Sequence, residues 1–342
     1  MVSKLVSKAI DLYSIDKFTE ALSIYKKALK YDMDIKSKGI LYYNIGLCHM
    51  SLYNYKAAIV SFKKAFFDFN NKNCGYELCM SYLHESDIQN GMDLYNYRYY
   101  GERNMFPNLP IKRSFKLEEL KDKKVLVLNE QGYGDEILFS RVIEPLSKIC
   151  NSSTYQVYDV MIELFESIYK YDNISFFTDR QLSLEFVNSF DTWISVGDLF
   201  SSYILSLNSD LLLESNNNFL DEMDSFNKIG VCWKANSESK SSKLRSIDIN
   251  SIKDSFLFKD KDVYSLQFNE CESWMKSVDI SGFKNTYDVI NNLDLVVTVD
   301  TVTAHLSLLM GKKTILLYDK YIDWRWNFKF YDNLQIVNIK DI

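Results

Sequence analysis

The sequence predicts helical repeats followed by two α/β domains of the Rossmann type, and three observations support this. Small and aromatic residues recur at intervals of 33 to 37 residues over about the first hundred residues, which is typical of stacked helical hairpins. Two of the three prolines then coincide with a break in helical periodicity. Beyond the break, short β-branched apolar runs alternate with helical segments, as in parallel sheets with covering helices.

The composition is that of a globular protein with enough apolar residues for several cores. The chain has 342 residues, of which 47% are hydrophobic and 25% charged. A net charge of -6 argues against a protein that coats nucleic acid, because such proteins need a basic surface. No apolar run approaches the roughly 20 residues of a membrane span, so any membrane contact is expected to be peripheral.

The cysteines and the N-terminus indicate a compartment. The six cysteines lack C-x-x-C spacing, and the first residues lack the apolar core of a signal peptide. We therefore expect reduced thiols and a cytoplasmic protein. The sequence leaves the oligomeric state open.

The helical segment contains an internal repeat. Ala58, the first residue of a small-aromatic-small triplet, lies 37 positions after Ala21, and Gly91 takes the same small position 33 residues after Ala58. The two complete triplets are Ala21, Tyr25, Ala28 and Ala58, Phe62, Ala65. These segments resemble the second helix of a tetratricopeptide repeat, which has a period of about 34 residues.

The breaks in the pattern divide the chain into four predicted segments. Pro107, Pro110 and the charged run at 116–124 mark a linker, and the polar run at 214–218 ends the first α/β domain. The expected segments are a repeat domain (1–104), a linker (105–122), a first α/β domain (123–226) and a second α/β domain (227–342).

Each α/β domain is expected to alternate strands with helices, so that ligand-binding turns follow the carboxyl ends of parallel strands. The first domain has predicted strands at 124–129, 155–160, 174–177 and 192–196, with helices at 134–149, 162–170 and 199–207. The second has predicted strands at 228–233, 263–266, 293–299, 314–318 and 334–338.

Residues 294–311 read as strand, tight turn and helix, and they form the best candidate anion site. The helix start offers unpaired N–H groups, the positive end of the helix dipole and the hydroxyls of Thr301 and Thr303, which together suit a phosphate. Asp300 is expected to cap this helix. His305 has two interpretations: a neutral hydrogen-bond donor to a ligand, or an interior histidine that caps its own helix.

Five motifs stand in order behind the repeats: E-Q-G-Y-G-D (130–135), I-G-V-C-W-K-A-N (229–236), R-S-I (245–247), D-T-V-T-A-H (300–305) and D-W-R-W (323–326). With them the chain resembles a tetratricopeptide-repeat glycosyltransferase of the GT-B fold, in the group that includes heptosyltransferases and O-linked GlcNAc transferase-like enzymes. The resemblance covers nearly the whole chain. It implies that the two α/β domains face each other across a cleft, with the acceptor on the first and a nucleotide-sugar on the second.

The resemblance also implies a reaction. A hexosyl or heptosyl group would pass, with inversion and without a metal or cofactor, from a nucleotide-sugar co-substrate to a hydroxyl of a protein or glycan acceptor. The repeats would then either recruit the acceptor in a groove or only cover one face of the catalytic part.

The resemblance assigns residues to both sides of the cleft. Asp135 matches the aspartate of the G-x-G-D motif and is the expected general base, although an aspartate there can also cap a helix. Arg325 either reaches the diphosphate or pairs with Asp323. The acceptor-side loop residues are Glu130, Gln131, Gly132 and Gly134, of which Glu130 is a neighbour or rival of the base. The expected donor-binding residues are Lys234, Asn236, Arg245, Gln267, Thr301, Thr303, Ala304, His305 and Arg325.

Other chemistries find little support. The D-x-D pairs at 32–34 and 260–262 lie in charged connections and are expected to be solvated, so we predict no metal site. No P-loop, nucleophile elbow or zinc-ligand spacing occurs in the sequence.

Because the sequence departs from the family pattern, two alternative functions stay open. Ala235 and Lys313 replace an expected glycine and proline, and a closing helix after D-W-R-W is expected to be short or missing. The first rival is a non-catalytic interaction protein with repeats and a vestigial transferase fold. The second is a nucleotide-sugar epimerase or hydrolase on the same fold.

Overall fold

The computed structural model describes residues 2–100, 106, 108–207, 218–235 and 240–342, apart from the side chains of 240 and 241. The chain divides into two compact units. The helical unit comprises residues 1–108 and 204–210, and the α/β unit comprises residues 109–203 and 211–342. No helix in the described ranges is both long enough and apolar enough to cross a membrane.

The helical unit is a series of three hairpins in which each helix packs against the next along the chain. The second residue of each hairpin turn has a left-handed backbone: Asp16, Tyr53 and Ser86 have φ of 60°, 56° and 62°. Their spacings of 37 and 33 residues equal those of the sequence repeat. The helices are α1 (Val2–Ser14), α2 (Phe18–Ala28), α3 (Ile35–Ser51), α4 (Tyr55–Lys63), α5 (Gly75–His84) and α6 (Ile88–Asp93).

The recurring small and aromatic residues form the interior of these hairpins. Ala21, Ala28, Ala58, Phe62 and Ala65 are fully buried. Small side chains at these positions let neighbouring helices approach closely, which accounts for the period of the sequence pattern. The assignment of the hairpins as tetratricopeptide repeats stays a prediction.

The α/β unit begins with a parallel sheet of four strands in the order β3-β2-β1-β4. We call this part the first half. Its strands are β1 (Lys124–Leu128), β2 (Ser152–Gln156), β3 (Ile174–Phe177) and β4 (Thr192–Ser195), and its helices are α7 (Tyr133–Phe139), α8 (Ile143–Ile149), α9 (Ile162–Ile168), α10 (Leu184–Asn188) and α11 (Val196–Ser206). The last three residues of α11, 204–206, belong to the helical unit.

Three local features of the first half differ from expectation or extend it. The helix predicted at 134–149 is broken at Ser140–Val142, and it resumes so that Pro145 lies in the first turn of α8, where its missing N–H leaves no bond unmade. The strand predicted at 155–160 is β2, which begins and ends earlier, so Val160 is exposed in a short 3-10 helix that follows it. In the predicted linker, Ser114 N–H donates to the carbonyl of Trp193 and extends the sheet beyond β4.

The second half of the α/β unit is a parallel sheet of five strands in the order β6-β5-β7-β8-β9. The strands are β5 (Lys228–Cys232), β6 (Asp262–Ser265), β7 (Leu295–Thr298), β8 (Thr314–Tyr318) and β9 (Leu334–Asn338), and the helices are α12 (Lys240–Arg245), α13 (Phe283–Asn291) and α14 (Val302–Leu309). The predicted alternation of strands and helices is thus confirmed as a mixed α/β architecture with parallel sheets.

The strand orders determine where ligands can bind. The order reverses between β1 and β4 in the first sheet and between β5 and β7 in the second. Helices that leave such a switch point go to opposite faces of the sheet and open a crevice at the carboxyl ends of the strands. The loops at 129–132, 233–235 and 299–301 follow strands at these two points.

Candidate functional site

A cavity of about 840 Å³ lies where the loops of the two switch points meet. This volume is within the range of small-molecule sites, roughly 300 to 1,000 Å³. We call it the central cavity. The first half contributes Gly132, Tyr133, Gly134, Asp135 and Val160, and the second half contributes Cys232, Lys234, Ala235, Ser242, Arg245, Leu266, Phe268, Ile280, Ser281, Gly282, Phe283, Thr286, Asp300, Thr301, Val302, Thr303, His305, Leu306, Tyr321, Asp323 and Arg325.

The N-terminus of α14 opens into this cavity. Thr301 is the N-cap residue, with an extended backbone, and the first-turn residues Val302 and Thr303 line the cavity. The N–H groups of Ala304 and His305 already donate to the Thr301 carbonyl, at 3.1 and 3.5 Å. The donors of the first turn therefore belong to Val302 and Thr303.

The expectation that Asp300 caps α14 is wrong. Its carboxylate instead faces the guanidinium of Arg245, whose Nη1 donates to the Asp300 carbonyl at 3.2 Å and to Oδ2 at 3.3 Å. Burial, together with the negative charge of Asp323, raises the pKa of Asp300, and the positive charges of Arg245 and Arg325 oppose that rise. Asp300 therefore holds Arg245 at the helix start and leaves the N-cap position to Thr301.

Asp135 has two partners. Its Oδ2 accepts the backbone N–H of Gly132 at 3.2 Å, which is the helix-capping contact for α7. Its Oδ1 accepts hydrogen bonds from Arg325, from Nε at 2.9 Å and from Nη2. The carboxylate is 17% exposed and lines the cavity. Asp135 is thus both a capping residue and a cavity residue, paired with a cation from the other half.

Arg325 is shared between two carboxylates. Its Nη1 donates to Asp323 Oδ1 at 2.6 Å, and its backbone N–H donates to the same oxygen at 3.1 Å. Arg325 therefore pairs with Asp323, as one of the two alternatives predicts, and it also lines the cavity. Its contact with a diphosphate stays a prediction. The guanidinium connects the loop after β8 to the turn after β1.

His305 is an interior residue that still borders the cavity. Its ring is 3% exposed, Nδ1 lies at hydrogen-bond distance (3.0 Å) from the Tyr331 hydroxyl, and the imidazole stacks on Trp326 with a centroid distance of 4.6 Å. Burial, and to a smaller extent the positive charge of Arg325, lower its pKa to about 3. The imidazole is therefore neutral at ordinary pH, as the sequence predicts.

Lys234 and Gln267 lie at the end of β5 and after β6. Lys234 lines the cavity, and its ammonium pairs with Glu270 at 2.5 Å. Gln267 is buried, and its side-chain oxygen accepts the N–H groups of Trp233 and Lys234 at 3.2 and 2.8 Å. Gln267 lines a smaller pocket beside the central cavity. Its hydrogen bonds to Trp233 and Lys234 hold the loop that carries Lys234.

The central cavity brings together nine of the residues that the sequence singles out. They are Gly132, Gly134, Asp135, Lys234, Arg245, Thr301, Thr303, His305 and Arg325. Glu130, Gln131, Gln267 and Ala304 lie behind or beside its lining, and Asn236 lies outside the described residues. Within the described ranges, no three His, Cys, Asp or Glu side chains are arranged to hold a metal ion.

Sequence reasoning missed Glu136, which is fully buried beside Asp135. Its Oε1 accepts hydrogen bonds from Asn129 Nδ2 and from the Tyr158 backbone N–H, both at 3.2 Å. The signal available in the sequence is a carboxylate directly before the apolar residues of α7, where burial is expected. Its partners come from two loops, so periodicity could not identify them.

No protein-family model matches this chain, and neither does any curated protein sequence. Solved structures with similar folds include ADP-heptose LPS heptosyltransferase II of E. coli, with 10% identity over 63% of this chain and 90% of that one and a TM-score of 0.43. An O-GlcNAc transferase of Thermobaculum terrenum matches 95% of this chain and 84% of its own at 10% identity, with a TM-score of 0.29.

Another matching structure is a protein of a different kind. The Hsp90 co-chaperone Cns1 of Saccharomyces cerevisiae matches 31% of this chain at 21% identity, with a TM-score of 0.28. This chain spans about a third of that protein, 35% of its length. Likenesses at these scores establish no shared activity, so the function has to be argued from the cavity itself.

Proposed function

We propose that the protein is a glycosyltransferase that moves a sugar from a nucleotide-sugar donor to a hydroxyl acceptor. One observation carries the proposal: the central cavity is lined by a carboxylate of the first half, Asp135, and by a helix N-terminus and two guanidinium groups of the second half. A transferase of this kind must bind a diphosphate on one side and remove a proton from an acceptor on the other. The acceptor would lie on the first half and the donor on the second, in a GT-B arrangement.

The diphosphate fits the start of α14. The N-cap residue Thr301, the first-turn residues Val302 and Thr303, and Arg245 all line the cavity, and Arg245 donates to the carbonyl of the neighbouring Asp300. They would offer two N–H groups, two hydroxyls and a guanidinium. Helix N-termini favour anions through their free donors and dipole, and arginine adds charge-assisted hydrogen bonds. Together these groups would stabilise the charge that develops on the departing diphosphate.

Asp135 would act as the general base after its ion pair with Arg325 is broken. A carboxylate paired with a guanidinium is a poor proton acceptor, because the cation stabilises its charged form. A diphosphate carries more negative charge than a carboxylate, so we propose that the donor draws Arg325 from Asp135. Donor binding would then prepare both the leaving group and the base.

The reaction would be a direct displacement. The acceptor oxygen forms a bond to the anomeric carbon as the bond to the diphosphate breaks, which inverts the configuration, and the acceptor proton passes to Asp135. Arginine, lysine and helix donors would balance the diphosphate charge, without a metal ion or cofactor. The repeats would orient the acceptor, and the reaction would take place in the cytoplasm.

A panel of nucleotide-sugars tests the proposal. A ligand that binds only the folded protein raises its thermal midpoint by mass action, so the true donor should raise it in proportion to its concentration. Transfer from that donor should require an acceptor and should fail in Asp135→Ala. Unchanged transfer in that variant would remove Asp135 from the role of base, and donor conversion without any acceptor would indicate a hydrolase or epimerase.

A second candidate is a non-catalytic interaction protein that has kept the transferase fold. One observation favours it: each cation that lines the described part of the cavity already has a carboxylate partner, Glu270 for Lys234, Asp300 for Arg245, and Asp135 with Asp323 for Arg325. A diphosphate must compete with these pairs. If no nucleoside diphosphate or nucleotide-sugar changes the thermal midpoint, the second candidate stands and the transferase proposal fails.

A further inference from the structure

Glu136 is a buried carboxylate that the proposed reaction does not use. Its side chain is fully buried within α7, one residue after Asp135. Burying a carboxylate is costly unless hydrogen bonds compensate it. Three contacts do so here: Oε1 accepts from Asn129 Nδ2 and from Tyr158 N–H at 3.2 Å, and Oε2 accepts from the same N–H at 3.3 Å.

These contacts tie together the loops on both sides of Asp135. Asn129 follows β1, and Tyr158 follows β2, the neighbouring parallel strand. The hydroxyl of Tyr158 donates to the carbonyl of Gln131, which has a left-handed backbone with φ of 64°. Gln131 precedes Gly132, the residue whose N–H is bound by Asp135. Glu136 and Tyr158 therefore brace the turn at both ends.

The same brace extends to the rim of the cavity. The ring of Tyr158 packs edge-on against Tyr133, with a centroid distance of 4.8 Å, and Tyr133 packs against Phe283 of the second half at 5.3 Å. Arg180 lies over the Tyr158 ring at 4.7 Å and donates to Asn129 Oδ1. A shift of Tyr158 would thus move both the turn and the aromatic contact between the halves.

We propose that Glu136, in its charged form, is the positioning residue of the general base: by holding Asn129 and Tyr158 it sets where the turn presents Asp135. The inference rests on the proposed function for its catalytic meaning, but the bracing can be measured without turnover. Glu136 lies outside the cavity lining, so it would touch neither donor nor acceptor and would act through its partners.

The brace should depend on pH near neutrality. Burial raises the pKa of Glu136 to about 7, and the hydrogen bonds from Asn129 and Tyr158 and the charge of Arg180 limit the rise. Hydrogen bonds to an ionised acceptor are about twice as strong as neutral ones, so protonation should loosen the turn. Other titratable groups that face Glu136 or its partners include Glu130, Tyr133, Asp135, Tyr155 and Tyr158.

Amide hydrogen exchange of the full chain tests the brace between pH 5.5 and 8, with rates corrected for the intrinsic effect of pH. The amides of Tyr158 and Gly132 should be several-fold less protected below pH 7 than above it in the parent. Glu136→Gln should remove that pH dependence, because an amide does not titrate and presents a donor to partners that are themselves donors. Glu144→Gln, which changes an exposed glutamate, should behave as the parent.

A second variant keeps the test valid if Glu136→Gln fails to fold. Tyr158→Phe removes the hydroxyl bond to Gln131 but keeps the ring and the N–H that binds Glu136. It should lower the protection of Gly132 and preserve the pH dependence of the Tyr158 amide. Protection that is independent of pH in the parent, or equally pH-dependent in Glu136→Gln, would overturn the inference.

Kinetics then separate positioning from general stability. Once a donor and acceptor are found, Glu136→Gln should lower kcat by about tenfold and leave the donor KM unchanged, because the donor site belongs to the other half. In the parent, kcat should rise as the pH increases through 7, because Glu136 becomes charged. In Glu136→Gln this rise should disappear. If the parent transfers no sugar, the proposed function fails, while the exchange experiment still decides whether Glu136 braces the turn.

Discussion

Arg325 donates two hydrogen bonds to a single carboxylate oxygen of Asp135, although the two residues lie 190 positions apart in the chain. The contact joins the turn after the first strand of one sheet to the loop after β8 of the other. Among the described residues that line the cavity, Asp135 is the only carboxylate of the first half, and this contact places it in an ion pair. Any reaction that uses Asp135 as a base has to break this pair, and that requirement makes the proposal testable.

Replacing Asp135 by Asn should have opposite effects on chemistry and binding. The rate of sugar transfer should fall by a factor of about 10² to 10⁴, which is the usual contribution of a general base. Binding of a nucleoside diphosphate should become about tenfold tighter, equal to ~1.4 kcal/mol, because a neutral amide holds Arg325 less strongly than a carboxylate does. Titration calorimetry with UDP, GDP and ADP measures the change.

Asp332→Asn is the matched control, since Asp332 is an exposed aspartate paired with Lys329. It should leave diphosphate affinity unchanged. Weaker binding in Asp135→Asn than in the parent would show that the ion pair assists the donor site instead of competing with it.

Replacing Arg245 by Ala should weaken diphosphate binding. A hydrogen bond to a charged group contributes about 1.5 to 3 kcal/mol, so the dissociation constant should rise about 10- to 100-fold. Arg245→Lys should be intermediate, because it keeps the charge and loses the forked donors. Lys148→Ala, which removes an exposed lysine paired with Glu144, is the control. Equal affinities in all four proteins would place the diphosphate away from α14.

Adding a methyl group at Gly134 should separate α7 from α14. A Cβ there would lie 3.0 Å from His305 Cδ2 and 3.8 Å from the Val302 Cα. Overpacking of this kind costs about 1 to 3 kcal/mol, so Gly134→Ala should lower the free energy of unfolding by that amount and reduce transfer.

Urea unfolding measures the change in stability. A Cβ at Gly282 would meet no atom within 4 Å, so Gly282→Ala is the control and should lose less than Gly134→Ala. If Gly134→Ala is as stable as the parent, the close approach of the two helices is not required.

His305 should make stability depend on pH in the acid range. Burial lowers its folded-state pKa to about 3, from 6.5, so the unfolded state takes up a proton first as the pH falls. The free energy of unfolding should therefore be highest above pH 6.5 and should lose about 2 kcal/mol by pH 5 through this group. Urea unfolding at pH 7 and pH 5 measures the loss.

His305→Gln should lack this contribution, while His84→Gln should keep it. The imidazole resonances of His305 should also stay at one position between pH 8 and pH 5. A histidine that titrates near its ordinary pKa would mean that the ring is accessible to water, in contrast to its burial against Trp326 and Tyr331.

Several features follow from residues that are close in the sequence. The period of Ala21, Ala58 and Gly91 identified the hairpins, because a buried small residue returns once per repeat. The apolar run before Asp300 identified a strand followed by a helix, and the neutral His305 followed from its place near a helix start and is supported by its burial. Such inferences succeed because a strand, a turn and a helix start depend on local backbone preferences.

Other features depended on contacts between distant segments. The sequence predicted that Asp300 caps α14, whereas Arg245, 55 residues away, draws its carboxylate aside. Glu136 is held by the loops after two strands, and no periodicity brings Asn129 and Tyr158 to one point. The local sequence pattern predicts which side chains lie at the end of a strand. It does not predict which residue of another loop will contact them.

The sequence alone determined the order of the elements, the parallel α/β architecture and the residues at the carboxyl ends of the strands, since these depend on local propensity and hydrophobic period. Only the tertiary structure decided which charges pair: Arg325 with Asp135, Arg245 with Asp300, and Lys234 with Glu270. The physical reason is that an ion pair needs opposite charges within about 4 Å, and only the folded chain determines which side chains from distant segments come that close.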